Sequence, residues 1–331
     1  MSSHELFKKF DDQIRLSPSR IDKLKKGRSA LRELIRGHYR EKGKLEPLFW
    51  SQGSFPLNTI INPIPKTKNG RTILAYDIDD GVYFSCPIGE RDSCQSYHYQ
   101  IQCAVAGHTD KVANKNTCVR VVYSDGHHID LPIYWKENKF SESKLAHLKD
   151  GFVDSDPSKF SDWAKSKFSE LGNDKQPQRL IRYLKAWKDY RKDRTSKKIM
   201  SGFVLTILVI ENYSGNGACD HLAILDTVKR IHASLVNNFE CYLPYSHTDN
   251  LMKKYDEAFI LEEIKKFIEI CEKANGESSK EEACELWREL FGSRFPMEKN
   301  KSGTCAPGIA ATAILPASSK PHKLFGSTEI N

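Results

Sequence analysis

Residues 53–80 read GSFPLNTIINPIPKTKNGRTILAYDIDD. The stretch opens on a Gly-Ser turn, crosses a loop-like connection from Asn58 to Gly70, and ends in an apolar run carrying acids. Arg71 to Asp79 reads as a strand through Ile73, Leu74 and Tyr76. Side chains two apart on a strand share a face, so Asp77 and Asp79 point one way and Asp80 the other. Two carboxylates on one face, after a Gly-Ser turn, suit a divalent cation carrying a nucleoside triphosphate. Asp80 and Gly81 read as a turn, with Val82-Tyr83-Phe84 resuming the strand.

Upstream, residues 1–18 read as a short amphipathic helix ended near Ser17-Pro18, and Ser19 to Glu41 as a longer one. In the latter Ile21, Leu24, Leu31, Leu34, Ile35 and Tyr39 recur at helical spacing. Its Arg20, Lys23, Lys26, Arg32, Arg36 and Arg40 read as a solvated face. Downstream, Tyr97 to Ala113 reads as helical or mixed. Val119 to Tyr123 and His127 to Trp135 flank Ser124-Asp125-Gly126 and form a hairpin. Ile129, Leu131 and Ile133 share one face of its second strand, and Asp130 lies on the other, available as a third carboxylate. Pro132 implies an edge or a strand end. His127 and His128 sit at the turn and add no recognisable chemistry.

From Asp156 helical patterns dominate: Lys159–Leu171, Gln178–Arg191, Phe203–Asn212, His221–Phe239, Leu251–Ala274 and Lys280–Phe291. On Gln178–Arg191 the stripe Arg182, Lys185, Lys188 is set apart from the apolar Leu180, Leu184 and Trp187. Cations facing a metal site can hold a triphosphate tail; Lys185 is the residue expected there, and Lys188 is expected in solvent. Ser201-Gly202 opens a helix, where a hydroxyl and free N–H groups suit phosphate. The expected partition is 1–150, 151–298 and a flexible tail from 299 to 331 rich in Gly, Ser, Pro and Lys.

Bulk properties narrow the class. No apolar run approaches a membrane span, and the charged N-terminus lacks a signal-peptide core, so a cytoplasmic protein is expected. The 9 cysteines include no C-x-x-C pair, and an odd count resists a disulfide framework or a zinc ribbon. The net charge of +8 implies anionic partners, among which nucleotides qualify as well as nucleic acids.

With those residues in hand, QGSF (52–55), YDIDDGVY (76–83) and HIDLPIY (128–134) resemble the bacterial cGAS/DncV-like nucleotidyltransferases, particularly the DncV dinucleotide cyclase branch. IRLSPS (14–19), RYLKAWKDY (182–190) and ACELWRELFGSRFP (283–296) extend the resemblance over nearly the whole chain. The resemblance implies an α+β fold: a polymerase-β-like nucleotidyltransferase lobe with a spine helix, a helical lobe of oligoadenylate-synthase type, and the active site in the cleft between them. It implies that Asp77, Asp79 and Asp130 bind two Mg²⁺ ions, or Mn²⁺, and do the catalysis. Gln52, Gly53 and Ser54 would hold donor phosphates, and Lys185 and Ser201 would reach the triphosphate from the helical lobe. The implied reaction joins ATP, GTP or pyrimidine NTPs into a cyclic di- or trinucleotide that activates an effector in anti-phage defence. The animal relative's DNA-binding zinc ribbon is missing here, so no obligate nucleic acid is expected. In many relatives the C-terminal tail is a handle for ubiquitin-like conjugation machinery, and the resemblance extends that partner to this tail, which ends Ile330-Asn331 rather than Gly. A linear oligonucleotide or RNA nucleotidyltransferase and a catalytically dead nucleotide-binding scaffold are the alternatives.

Overall fold

The computed structural model describes residues 3–298 apart from 69, 173, 216–218 and 247. The expected flexible tail, 299–331, lies outside the described residues. Helix α1 (Ser3–Ile14) ends before Ser17, whose hydroxyl accepts from the Arg20 N–H and caps α2 (Pro18–Glu41) with proline in the first turn. The sheet has the order β1 (Leu48–Gln52), β4 (Asp77–Ser85), β7 (His128–Lys136), β6 (Cys118–Val122), β5 (Lys111–Asn114). A further pair, β8 (Lys144–His147) and β9 (Gly151–Asp154), continues from β7. Strands β4 and β7 run parallel, and β1–β4 and β6–β7 antiparallel. Helix α3 (Cys94–Ala104) and α2 pack on the sheet. The helices α4 (Pro157–Leu171), α5 (Gln176–Lys192), α6 (Gly202–Asn212), α7 (Asp220–Asn237), α8 (Glu257–Gly276) and α9 (Lys280–Phe291) follow.

Two hydrophobic clusters divide the burial. Leu24, Leu31, Ile35 and Tyr39 of α2 join Ile78, Val82, Ile129, Leu131 and Ile133 of the sheet. Phe7, Phe10 and Ile14 of α1 join the later helices instead, where the Phe7 ring meets Tyr183, Trp287 and Phe295 edge-on at 4.8–5.2 Å. Residues 3–298 belong to one compact unit, and among the described residues no helix is long and apolar enough to cross a membrane.

Several sequence expectations need correction. Gly81 does not end the strand: β4 runs unbroken from Asp77 to Ser85. A Cβ at Gly81 would meet the Tyr83 ring at 2.7 Å and Gln52 Oε1 at 3.0 Å, so the glycine permits close packing rather than a turn. Asp80, on the opposite face from Asp79 as expected, is fully buried and held by Arg32 at 2.7 and 2.5 Å and by Ser51 at 2.9 Å. Arg32 therefore leaves the solvated face assigned to it. Pro132 lies inside a central strand; β4 and β7 stay in register on either side of it, at Asp79–Asp130 and Val82–Ile133. The Asn58–Gly70 connection contains a short strand, β2 (Lys66–Lys68), paired with β3 (Arg71–Ile73). Residues 97–113 divide into the end of α3 and the start of β5, and α8 begins at Glu257 behind an Asp256 cap rather than at Leu251.

Arg182 is also not free for phosphate. It forks onto Asp11 of α1 at 2.6 and 2.8 Å and donates to the Asn58 carbonyl, with both charged groups buried. This clasp ties α5 to α1 and to the loop after the Gly-Ser turn. Arg182→Met leaves the buried Asp11 carboxylate without its partner, and its expected cost is roughly 3–5 kcal/mol. Urea unfolding measures this; a loss under about 1 kcal/mol contradicts the clasp.

Candidate active site

Strand register builds the site. Gln52 faces Asp79 across β1–β4, Asp79 faces Asp130 across β4–β7, and Asp130 faces Arg120 across β7–β6. Four polar side chains thus form one row across the sheet. Asp77, two residues before Asp79, faces His128. Donor atoms of Asp77, His128 and Asp130 lie within 4.8 Å of one another. Two of the three acids proposed from the sequence, Asp77 and Asp130, therefore converge; Asp79 faces Asp130 in the register without belonging to that group, and His128, set aside as a turn residue, joins it as the first residue of β7.

Crowding shows in the proton affinities. Burial, then the charges of Asp77 and Asp130, push the Asp79 carboxyl up to about 7, while Arg120 acts against this. Arg120 forks onto Asp130, Nε to Oδ1 at 2.7 Å and Nη2 to Oδ2 at 2.7 Å. The sequence reading missed Arg120; its signal was its place on a β-branched strand beside the Asp130 strand. A set of convergent oxygens short of positive charge fits a hard divalent cation. Asp77, Asp79 and Asp130 would be its anionic ligands.

The Gly-Ser turn abuts this row. Gly53 has φ +71°, and a Cβ there would sit 2.7 Å from Asp79 Oδ2. Gln52 is buried, donates to the Tyr134 hydroxyl at 2.9 Å and accepts from the Tyr83 hydroxyl at 3.5 Å, the two rings being stacked 4.7 Å apart. The turn closes on itself, with the Thr59 N–H on the Ser54 carbonyl at 3.0 Å.

The sheet face opens on a cleft with two compartments. The first, about 450 Å³, is lined by Ser54, Thr59, Asp77, Lys185, Lys188 and Gly202 among others. The second, about 950 Å³, is reached by Gln52, Asp130, Tyr134, Asp156 and Tyr245. Gly53, Asp79, Phe160 and Phe203 border both. Lys185 sits where the sequence put it, on the helix across from the acids, and donates to the Thr59 carbonyl at 3.0 Å and hydroxyl at 3.1 Å. Burial and the neighbouring Lys188 push its ammonium down to about 7, against the pull of Asp77. Lys188 is a correction: it lines the cleft instead of facing solvent. Ser201 caps α6, accepting the Val204 N–H at 3.2 Å, and Gly202, Phe203 and Thr206 of that helix are the residues lining the first compartment.

A parallel strand pair bearing acids, a Gly-Ser turn packed on it and a lysine helix across a cleft make a site suited to a nucleoside triphosphate and a divalent cation. Residues 47–134 match the family described as cyclic GMP-AMP synthase DncV-like, nucleotidyltransferase domain. A cyclic GMP-AMP synthase of Escherichia albertii is 29% identical over 56% of this chain, and that match spans 41% of the relative. One from Vibrio cholerae is 23% identical over 85% of this chain and 74% of the relative. The chain thus spans less than half of the first of these relatives. The fold is that of the Vibrio cholerae DncV structures: the apo form aligns with a TM-score of 0.73 over 88% of this chain and 96% of that one, at 19% identity. The complex with the linear intermediate 5′ pppA(3′,5′)pG aligns at 0.72 over 90% and 98%, at 18% identity.

The raised Asp79 carboxyl has a consequence for stability. The folded chain keeps that proton up to about pH 7, whereas the ordinary carboxyl loses it near 3.8. Between those values the folded state binds more protons, so metal-free stability falls as pH rises through the window. Asp79→Asn should melt higher than the parent at about pH 8, the advantage shrinking toward about pH 4. A variant that melts lower at the alkaline end contradicts the crowding.

Proposed function

We propose that this protein is a cyclic oligonucleotide synthase, joining nucleoside triphosphates into a cyclic di- or trinucleotide. The observation that carries the reading is the Asp79–Asp130 register facing Lys185 across a two-compartment cleft. ATP and GTP are the proposed substrates, since the similar Vibrio cholerae enzyme is described with a nonhydrolyzable GTP and with a linear pppApG intermediate. The product would act on a cyclic-nucleotide-responsive effector in anti-phage defence.

The donor triphosphate lies in the first compartment. Lys185 and Lys188 offset its charge, and the Ser54 hydroxyl in the Gly-Ser turn hydrogen-bonds it. Mg²⁺ ions, or Mn²⁺, bound to Asp77, Asp79 and Asp130 would lower the charge on the reacting oxygens. The acceptor sugar lies in the second compartment, its hydroxyl beside Asp130, and that carboxylate orients it. Gln52, fixed by Tyr134, keeps the Asp79 edge of the row in place. The cleft between the 1–150 and 151–298 segments then holds the linear intermediate for a second round that closes the ring.

Pure protein incubated with the four NTPs and Mg²⁺ or Mn²⁺ should yield products that survive phosphatase, because a ring has no terminal phosphate. Only phosphatase-sensitive chains would assign a linear polymerase. Asp77→Asn with Asp79→Asn should abolish product with the circular dichroism unchanged; undiminished synthesis refutes the cation assignment. Lys185→Ala should raise the KM for NTP by about 10-fold or more, the worth of a hydrogen bond to a charged group. An unchanged KM removes Lys185 from the phosphate grip.

A further inference from the structure

Arg120 is held differently from the buried Arg182 and Arg179; Arg191, 28% exposed and forked onto Glu263, is held in a similar way, but away from the acids of the cleft. Arg182 is about 3% exposed and anchored to both Asp11 and the Asn58 carbonyl. Arg179 is likewise buried on Asp220 and also donates to the Asp174 carbonyl. Arg120 is 34% exposed, and its hydrogen bonds among the described residues all go to Asp130. It is held at one point, open to solvent on its other side.

That point is the one a cation needs. The fork occupies a lone pair on each Asp130 oxygen, while an oxygen of the same carboxylate lies within 4.8 Å of the donors of Asp77 and His128. One guanidinium stands against three carboxylates, and the field of Asp77 reaches it as well. A divalent cation seated among those oxygens would place like charge at close range to the guanidinium.

We propose that Arg120 is a displaceable counter-cation: it holds Asp130 while the acids lack a divalent cation, and it competes with that cation for the Asp130 oxygens. The inference rests on the reading of the three acids as a cation site. An arginine that only orients a ligand predicts the opposite sign, because removing such a partner typically weakens metal affinity about 10- to 100-fold. A competitor predicts tighter binding when it is removed.

The experiment is Mn²⁺ binding to the full chain without nucleotide, by titration calorimetry and by the electron paramagnetic resonance of free Mn²⁺. Arg120→Gln should bind Mn²⁺ about tenfold tighter than the parent, the reverse of the loss that follows removal of a residue orienting a metal ligand. Arg120→Lys, which keeps the charge but loses the fork, should gain less. The gain should vanish when Asp130→Asn is the background, as a double-mutant cycle requires. Circular dichroism and the melting curve check that each variant folds, and the lysine variant carries the test if the glutamine variant does not. Equal or weaker binding by Arg120→Gln overturns the proposal, as does a gain that persists without the Asp130 carboxylate. If the parent shows no saturable Mn²⁺ binding, the cation-site reading itself fails and the inference falls with it.

Discussion

The structure depends on the parallel register of β4 and β7, which sets Asp79 directly opposite Asp130. Neighbouring strands lie about 5 Å apart, and two like unit charges at that distance repel by about 3 kcal/mol at an effective dielectric of 20. A fold would not keep such a pair for stability alone. Burial, with this repulsion added, raises the proton affinity of Asp79, and Arg120 neutralises Asp130. On the proposed reading both are provisional, since a divalent cation would replace the proton and contest the guanidinium.

The surrounding packing holds this unfavourable arrangement in place. Behind β4, the Arg32–Asp80 fork ties the catalytic strand to α2, one residue from Asp79 and on the opposite face. Beside it, Gln52 is fixed by Tyr134 and Gly53 leaves room for the Asp79 carboxylate. Across the cleft, Arg182 and Lys185 both reach the loop at Asn58 and Thr59, so the helix carrying Lys185 and Lys188 is tied to the loop after the Gly-Ser turn.

Much of this was legible in the sequence, and for identifiable reasons. Period-two spacing put Asp77 and Asp79 on one face, and the apolar alternation of Ile129, Leu131 and Ile133 put Asp130 on the polar side of its strand. Helical periodicity located α2 and the later helices within a few residues. Register was not legible, because it is set by long-range pairing between segments some fifty residues apart. That is why His128 was missed; Arg120 faces Asp130 across the predicted hairpin and was missed because its strand was read only for its β-branched residues. Gly81 and Pro132 were misread because local breaker signals gave way to tertiary packing in a central sheet. Arg182 and Lys188 share a helical stripe with Lys185, yet only the folded helix shows that Arg182 meets a buried acid and Lys188 the cleft.

The central claim is that one row of carboxylates and one lysine helix act on the same nucleotide. Anomalous diffraction from crystals grown with Mn²⁺ and a nonhydrolyzable triphosphate tests it most directly. The account predicts Mn²⁺ peaks bounded by Asp77, Asp79 and Asp130, with the triphosphate running from them to Lys185. Manganese bound away from these acids, or a triphosphate that leaves Lys185 on Thr59, would contradict it.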